Sequence, residues 1–254
     1  MSKFIDKLKA VSQVGSQPMG FKKTAAAPQK PKMLLVAALA EASAEGLADY
    51  MSGADAGLVP VPKSSSGAKT VHKLSQVMPD IPWGGWLKDT SGKGEKLAEA
   101  GGDFVVFPPD TPLAMLQDSE MGKILEVGAS LSEGLIKTID ELPIDAVLIS
   151  REPEKDKLTW QHLMLCRRCA ELLAKPLLAS VPPGVGSSEL QALWAAGVVA
   201  VVVETPPKGR ISELRQIIDK LTFPPPSKRR KVEPWLPRIT AETGTASEEE
   251  EEEE

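Results

Sequence analysis

Short apolar runs recur along the chain with helical stretches between them, and four of these runs share a prelude of turn or small residues. The series reads Gly53-Ala54-Asp55-Ala56-Gly57-Leu58-Val59, Gly102-Asp103-Phe104-Val105-Val106, Ile144-Asp145-Ala146-Val147-Leu148-Ile149 and Gly197-Val198-Val199-Ala200-Val201-Val202-Val203, the last with Val199 in the aspartate's place. A second series alternates with it, each run opened by a charge: Lys32-Met33-Leu34-Leu35-Val36, Asp80-Ile81-Pro82-Trp83, Lys123-Ile124-Leu125-Glu126-Val127 and Lys175-Pro176-Leu177-Leu178. Runs of this length read as strands. Between them Gly94 to Ala100, Ser132 to Leu142, Leu158 to Ala174 and Ser188 to Ala196 read as helices, so the repeating unit is βα and the sheet parallel. Two series of four give eight units, the number that closes a (β/α)8 TIM barrel.

Other repeat architectures fit less well. Propeller blades contain no helices, and a solenoid of helix pairs has no place for the β-branched run Val198 to Val203. An open doubly wound sheet is the closer competitor, but it usually has about six strands. The expected fold is therefore α/β with three segments: an amphipathic helix and linker over residues 1–31, the barrel over 32–223, and a Pro-rich, basic segment with an acidic disordered tail over 224–254. At the start, Phe4, Ile5, Leu8 and Val11 share one helical stripe, with Lys3, Lys7 and Lys9 off it. Such a helix would pack across the open bottom of the barrel; a weak membrane-surface or partner contact is the alternative.

Charge and composition narrow the function. The chain of 254 residues carries a net charge of -5, but the run Glu248 to Glu254 supplies seven of the acids, leaving a body near +2 (-5 + 7). That balance predicts no nucleic-acid partner. The basic cluster Lys228-Arg229-Arg230-Lys231 is expected to be compensated by the glutamate run. No apolar run reaches the roughly 18 residues that span a bilayer, and no signal-peptide core is seen, so the expectation is a cytoplasmic protein without a membrane span. A homo-oligomer is compatible with this. The sequence Cys166-Arg167-Arg168-Cys169, with His162 nearby, invites a metal reading, but His162 and Cys169 are seven residues apart on one helix, a rise of about 10 Å. No metal site is expected, and the cysteines read as buried and inert.

In this fold ligands lie at the C-terminal ends of the strands, while the opposite face serves stability. Asp55, Asp103 and Asp145 open their strands and so fall on the stability face. The strand ends instead offer Glu41, Lys88 with Asp89, Asp110 with Thr111, Ser150 with Arg151, the loop Gly184 to Ser188, and Glu204. Within a strand, Glu126 stands out as a carboxylate in an apolar run, costly there unless paired. It is the candidate acid or base, with a structural ion pair as the alternative; Lys88 and Asp110 are the other catalytic candidates. Alignment on the opening residues puts Leu35, Trp83, Glu126 and Leu178 at one level, with Ala37, Gly85, Gly128 and Ser180 above them as a ring of small residues.

The strongest local motif is Ser180-Val181-Pro182-Pro183-Gly184-Val185-Gly186-Ser187-Ser188-Glu189-Leu190, leading to strand eight. It resembles the phosphate-binding half of aldolase-type barrels, the group that includes ribulose-phosphate-binding and flavin-mononucleotide-binding enzymes. The resemblance implies that Gly184, Gly186, Ser187 and Ser188 hold a phosphate through backbone amides at a helix N-terminus. It covers about 30 residues by motif, counted from Ser180. The family's second glycine contact is altered: here the chain reads Glu204-Thr205-Pro206-Pro207-Lys208-Gly209-Arg210, which leaves Gly209 and Arg210 as the anion-binding candidates. The resemblance implies a phosphorylated small molecule as ligand or flavin mononucleotide as cofactor, with the reaction type open. The alternative is a catalytically degenerate barrel serving as a binding protein.

Overall fold

A computed structural model describes residues 2–13, 32–39, 46–61, 66–88, 94–116, 119–129, 131–151 and 157–222. The linker, the basic cluster, the acidic tail, Glu41 and Asp89 lie outside the described residues. Eight parallel strands close into a barrel in sequence order: β1 (Leu34–Ala38), β2 (Ala56–Val61), β3 (Trp83–Leu87), β4 (Phe104–Phe107), β5 (Gly122–Val127), β6 (Ala146–Ile149), β7 (Leu177–Val181) and β8 (Val198–Glu204), with β8 pairing back to β1. An extra helix, α1 (Lys3–Gln13), precedes them. The others follow their strands: α2 (Leu47–Met51), α3 (Ser66–Val77), α4 (Gly94–Glu99), α5 (Glu133–Thr138), α6 (Trp160–Leu172), α7 (Ser187–Ala195) and α8 (Arg210–Lys220). The fourth unit departs from the expected βα pattern. Among the described residues after β4 the chain makes a 3-10 turn, Leu113–Met115, in place of an α-helix, and Pro108, Pro109 and Pro112 keep the stretch before it out of a helix interior.

Alternation along the strands sorts the core into two shells. Leu34, Val36, Leu58, Phe104, Ile124, Leu148, Leu178 and Val202 fill the barrel, while Leu35, Val59, Trp83, Val105, Leu125, Val147 and Val201 face the helices. The level inferred from the opening residues is corrected by this split. Leu35 and Trp83 point outward, whereas Leu178 points inward with Ile124, the residue two before Glu126. A charge at the start of a run does not fix which face its first apolar residue takes; the stagger of a closed sheet does. β3 also begins where the predicted run ended, at Trp83. Its Gly84 is dictated by packing, since a Cβ there would enter the ring of Phe104.

The bottom of the barrel is closed as the stripe on α1 predicts. Phe4, Ile5 and Leu8 are buried in the inner cluster, and Phe4 packs on Phe104 with ring centroids 4.7 Å apart. Asp103 anchors this plug: its carboxylate accepts from Ser2 Oγ (2.7 Å), Lys3 N (2.7 Å) and Phe4 N (2.9 Å), supplying acceptors for the first turn of α1. The other two aspartates share a different device. Asp55 accepts from Leu35 N at 2.8 Å and Asp145 from Lys123 N at 3.0 Å, each bonding the first residues of the preceding strand. Asp55 also pairs with Arg215, and Asp145 with Lys9 of α1. All three therefore work on the stability face.

Candidate functional site at the barrel mouth

The inward files end in polar residues on five strands. Counting by twos from Trp86, Ile124, Leu148, Leu178 and Val202 in the inner cluster reaches Lys88, Glu126, Ser150, Ser180 and Glu204 at the C-terminal mouth. Glu126 thus faces the barrel and not a helix. Its Oε2 accepts from Trp86 Nε1 at 2.6 Å, and the Lys88 ammonium lies over the same indole, 3.2 Å from the ring centroid. Trp86 joins the two charges: its edge satisfies the carboxylate and its face receives the cation. Lys88 reaches solvent, yet burial holds its pKa below the usual lysine value, against the carboxylates of Glu126 and Glu204, which raise it; the Arg151 charge adds to the lowering.

Across the mouth, Arg151 pairs with Glu204 (3.4 Å), and its backbone N–H donates to the fully buried Ser180 Oγ (2.8 Å). Thr205, directly after β8, sits in the left-handed region at φ 48, the one non-glycine there among the described residues. Such strain clusters where a chain must aim groups at a ligand. Beside this ring lies a cleft of about 190 Å³ between the ends of β5 and β6 and the start of α6, lined by Gly128, Ser150, Arg151, Lys157, Thr159 and His162 among others.

The glycine-serine loop after β7 forms the expected turn and helix start. Val185 N donates to Pro182 O across Gly184, and α7 begins at Ser187. Two neighbours already use part of it. The Glu189 carboxylate accepts from Gly186 N at 2.7 Å, and Arg210 donates to Pro183 O (2.6 Å) and Val185 O (2.9 Å) while pairing with Glu213. Gly209, at φ 79, makes the turn into α8. Ser187 and Ser188 are exposed in the first turn of α7, where helix geometry supplies no acceptor for their amides. Asp110 is exposed on the turn after β4, and no contact among the described residues ties it to Lys88 or Glu126.

Two residues were missed by sequence reasoning. Trp86 was hidden by the late start of β3. His162 was weighed only as a metal ligand and set aside because it stands about 10 Å of helical rise from Cys169, yet it lines the cleft beside Ser150 and Arg151. Thr159 was the available signal: as N-cap of α6 it accepts from His162 N at 3.3 Å, which puts His162 in the first turn of a helix, and those first turns stand at the C-terminal ends of the strands. Cys166 and Cys169 are fully buried, and burial pushes their thiols up to about 12 and about 11, so both stay protonated at neutral pH.

No family model matches the chain, and no curated protein matches it in sequence. Solved structures do. 3-Keto-L-gulonate-6-phosphate decarboxylase from Vibrio cholerae superposes with a TM-score of 0.60 at 17% identity, over 77% of this chain and 100% of the other. 3-Hexulose-6-phosphate synthase from Salmonella typhimurium gives 0.59 at 14%, over 73% and 98%. A tryptophan synthase α-subunit from Pyrococcus furiosus gives 0.58 at 11%, over 76% and 98%. The chain shares the (β/α)8 TIM-barrel fold of these proteins. No helix among the described residues is long and apolar enough to cross a membrane.

Proposed function

We propose that the protein binds a phosphorylated small molecule over the C-terminal mouth of the barrel and moves a proton on it, with Glu126 and Lys88 as the acid–base pair. The observation that carries this reading is the Lys88–Trp86–Glu126 line on the inner face of the mouth. A lysine whose pKa is drawn down by burial, beside a carboxylate fixed by one strong hydrogen bond, is suited to give up and take back a proton more readily than a solvated lysine. Two structural neighbours named for 6-phosphate chemistry, the 3-keto-L-gulonate-6-phosphate decarboxylase and the 3-hexulose-6-phosphate synthase, favour a ligand of that class. The phosphate would rest on the amides of Ser187 and Ser188, the part of the β7–α7 loop that Glu189 and Arg210 leave open, with Gly184, Gly186, Gly209 and Arg210 shaping the seat.

A thermal-shift panel of three- to six-carbon sugar phosphates, with flavin mononucleotide alongside, tests the reading. Stabilisation by a sugar phosphate, lost in Gly186→Asp, is the expected result. Asp is a good N-cap at that extended position, so the variant keeps the helix while opposing the phosphate with a negative charge. A yellow protein with a flavin spectrum would replace the sugar phosphate by the flavin, and no shift with any compound would leave a barrel acting as an interaction protein.

A further inference from the structure

Lys88 has neighbours that the other lysines lack. Lys9, Lys32 and Lys137 each meet a carboxylate, and Lys175 donates to the carbonyls of Leu142 and Ile144. Lys88 makes no hydrogen bond or ion pair among the described residues; its Nζ lies on the face of Trp86, 3.2 Å from the ring centroid. An indole face offers a surface to positive charge and no oxygen acceptor to hold the nitrogen. Glu126 and Glu204 add their charges without pairing with it. The site thus favours a cation at Nζ and leaves the nitrogen untied, while burial favours the neutral amine whose lone pair can attack. Strand order places β3 opposite β7 in the closed barrel, so Lys88 stands across the mouth from the β7–α7 loop, with β5 and Glu126 two strands away from β3.

We infer that Lys88 is a nucleophile that captures the carbonyl group of an aldehyde or ketone as an imine, so that the substrate is a small carbonyl compound with its phosphate at the far end. The inference rests on the site proposed above and adds the bond that forms there. Glu126 takes the ammonium proton. The freed lone pair of Nζ then bonds to the carbonyl carbon, the C=O π pair moves to oxygen, and one N–H proton follows it to give a carbinolamine. Glu126 returns its proton to that hydroxyl, which leaves as water while the nitrogen lone pair makes C=N. The resulting protonated imine carries its charge where the ammonium carried it, over Trp86 and near two carboxylates, and has one N–H in place of three. The Glu126 carboxylate is then free to take a proton from the carbon beside C=N, leaving a neutral enamine, and the reverse steps with water release the amine.

The experiment incubates the full chain with sodium cyanoborohydride, which reduces C=N to a stable secondary amine, and either hydroxyacetone or dihydroxyacetone phosphate. Mass spectrometry of the peptides then maps the modified lysine. One adduct at Lys88 is expected, formed about tenfold or more faster than at any other lysine and slowed by a similar factor in Glu126→Gln. Lys88→Arg, which keeps the positive charge, should yield none. No adduct at Lys88 with either compound overturns the proposal. So do adducts spread over the exposed lysines with Lys88 no faster than the rest, and so does equal trapping in Glu126→Gln. Trapping of hydroxyacetone at Lys88 in a protein that no phosphorylated compound stabilises keeps the imine and removes the phosphorylated-ligand reading. Dihydroxyacetone phosphate that stabilises the protein yet is never trapped removes the imine and leaves that reading standing.

Discussion

Lys88 answers to opposed demands. Burial favours its neutral amine, whereas Glu126 and Glu204 favour the ammonium. Replacing Glu126 by Gln removes one of the charges that hold the proton, so the Lys88 pKa should fall further; ¹³C-methylated lysine NMR would read the shift, and an unchanged Lys88 would contradict the coupling through Trp86. Turnover on the true substrate should drop about 10²–10⁴-fold in the same variant, with the unfolding midpoint nearly unchanged. His162 gives a pH signature. Its folded pKa lies below the unfolded value near 6.5, so between the two the unfolded chain binds more protons and stability rises with pH. Acidification from about pH 6.5 downward should therefore destabilise the wild type, and His162→Phe should flatten that slope. Glu126 was legible in the sequence because a carboxylate in an apolar run is expensive and so calls for a partner. The partner was not, since Trp86 follows two glycines that interrupt the strand pattern, and its inward aim comes from the register of β3 on β2 and β4.

At the scale of elements, α1 is a plug and Asp103 is its latch. Asp103→Ala removes three acceptor contacts from the first turn of α1, and a cost of about 2 kcal/mol is expected from the loss of a capping carboxylate. A lowered urea midpoint with faster amide exchange in residues 4–8 would register it. Unchanged exchange there would mean that the apolar stripe alone holds the helix. The stripe was readable from Phe4, Ile5 and Leu8, and the aspartate from its place before β4, but their union was not: nothing local to residue 103 points to residues 2–4. The missing helix after β4 was written in its prolines, and the count of βα units concealed it. The loop after β7 shows the opposite case. Its turn and helix start follow from Gly184, Gly186 and Ser187, while the use of Gly186 by Glu189 and the grip of Arg210 on Pro183 and Val185 depend on side-chain geometry that a motif does not carry.

The whole molecule divides by face. Below, the regular aspartates bond to strand starts and to α1; above, the strands end in unlike residues that converge on the mouth. The inner shell between them should behave as one cooperative unit, so Leu148→Ala, at a fully buried inward position, should cost about 2–5 kcal/mol and lower a single calorimetric transition. The repeat that makes the barrel legible thus says little about ligands, because closure needs the runs to be alike while chemistry needs their ends to differ. The central claim is that those ends bind a phosphorylated small molecule. Isothermal titration of the full chain with the sugar phosphate that stabilises it best, beside Lys88→Met, tests this most directly. The account predicts saturable, one-to-one heat for the wild type and at least a tenfold weaker affinity for the variant. Equal binding by both proteins, or no heat from a natively folded wild type with any member of the panel, would contradict it.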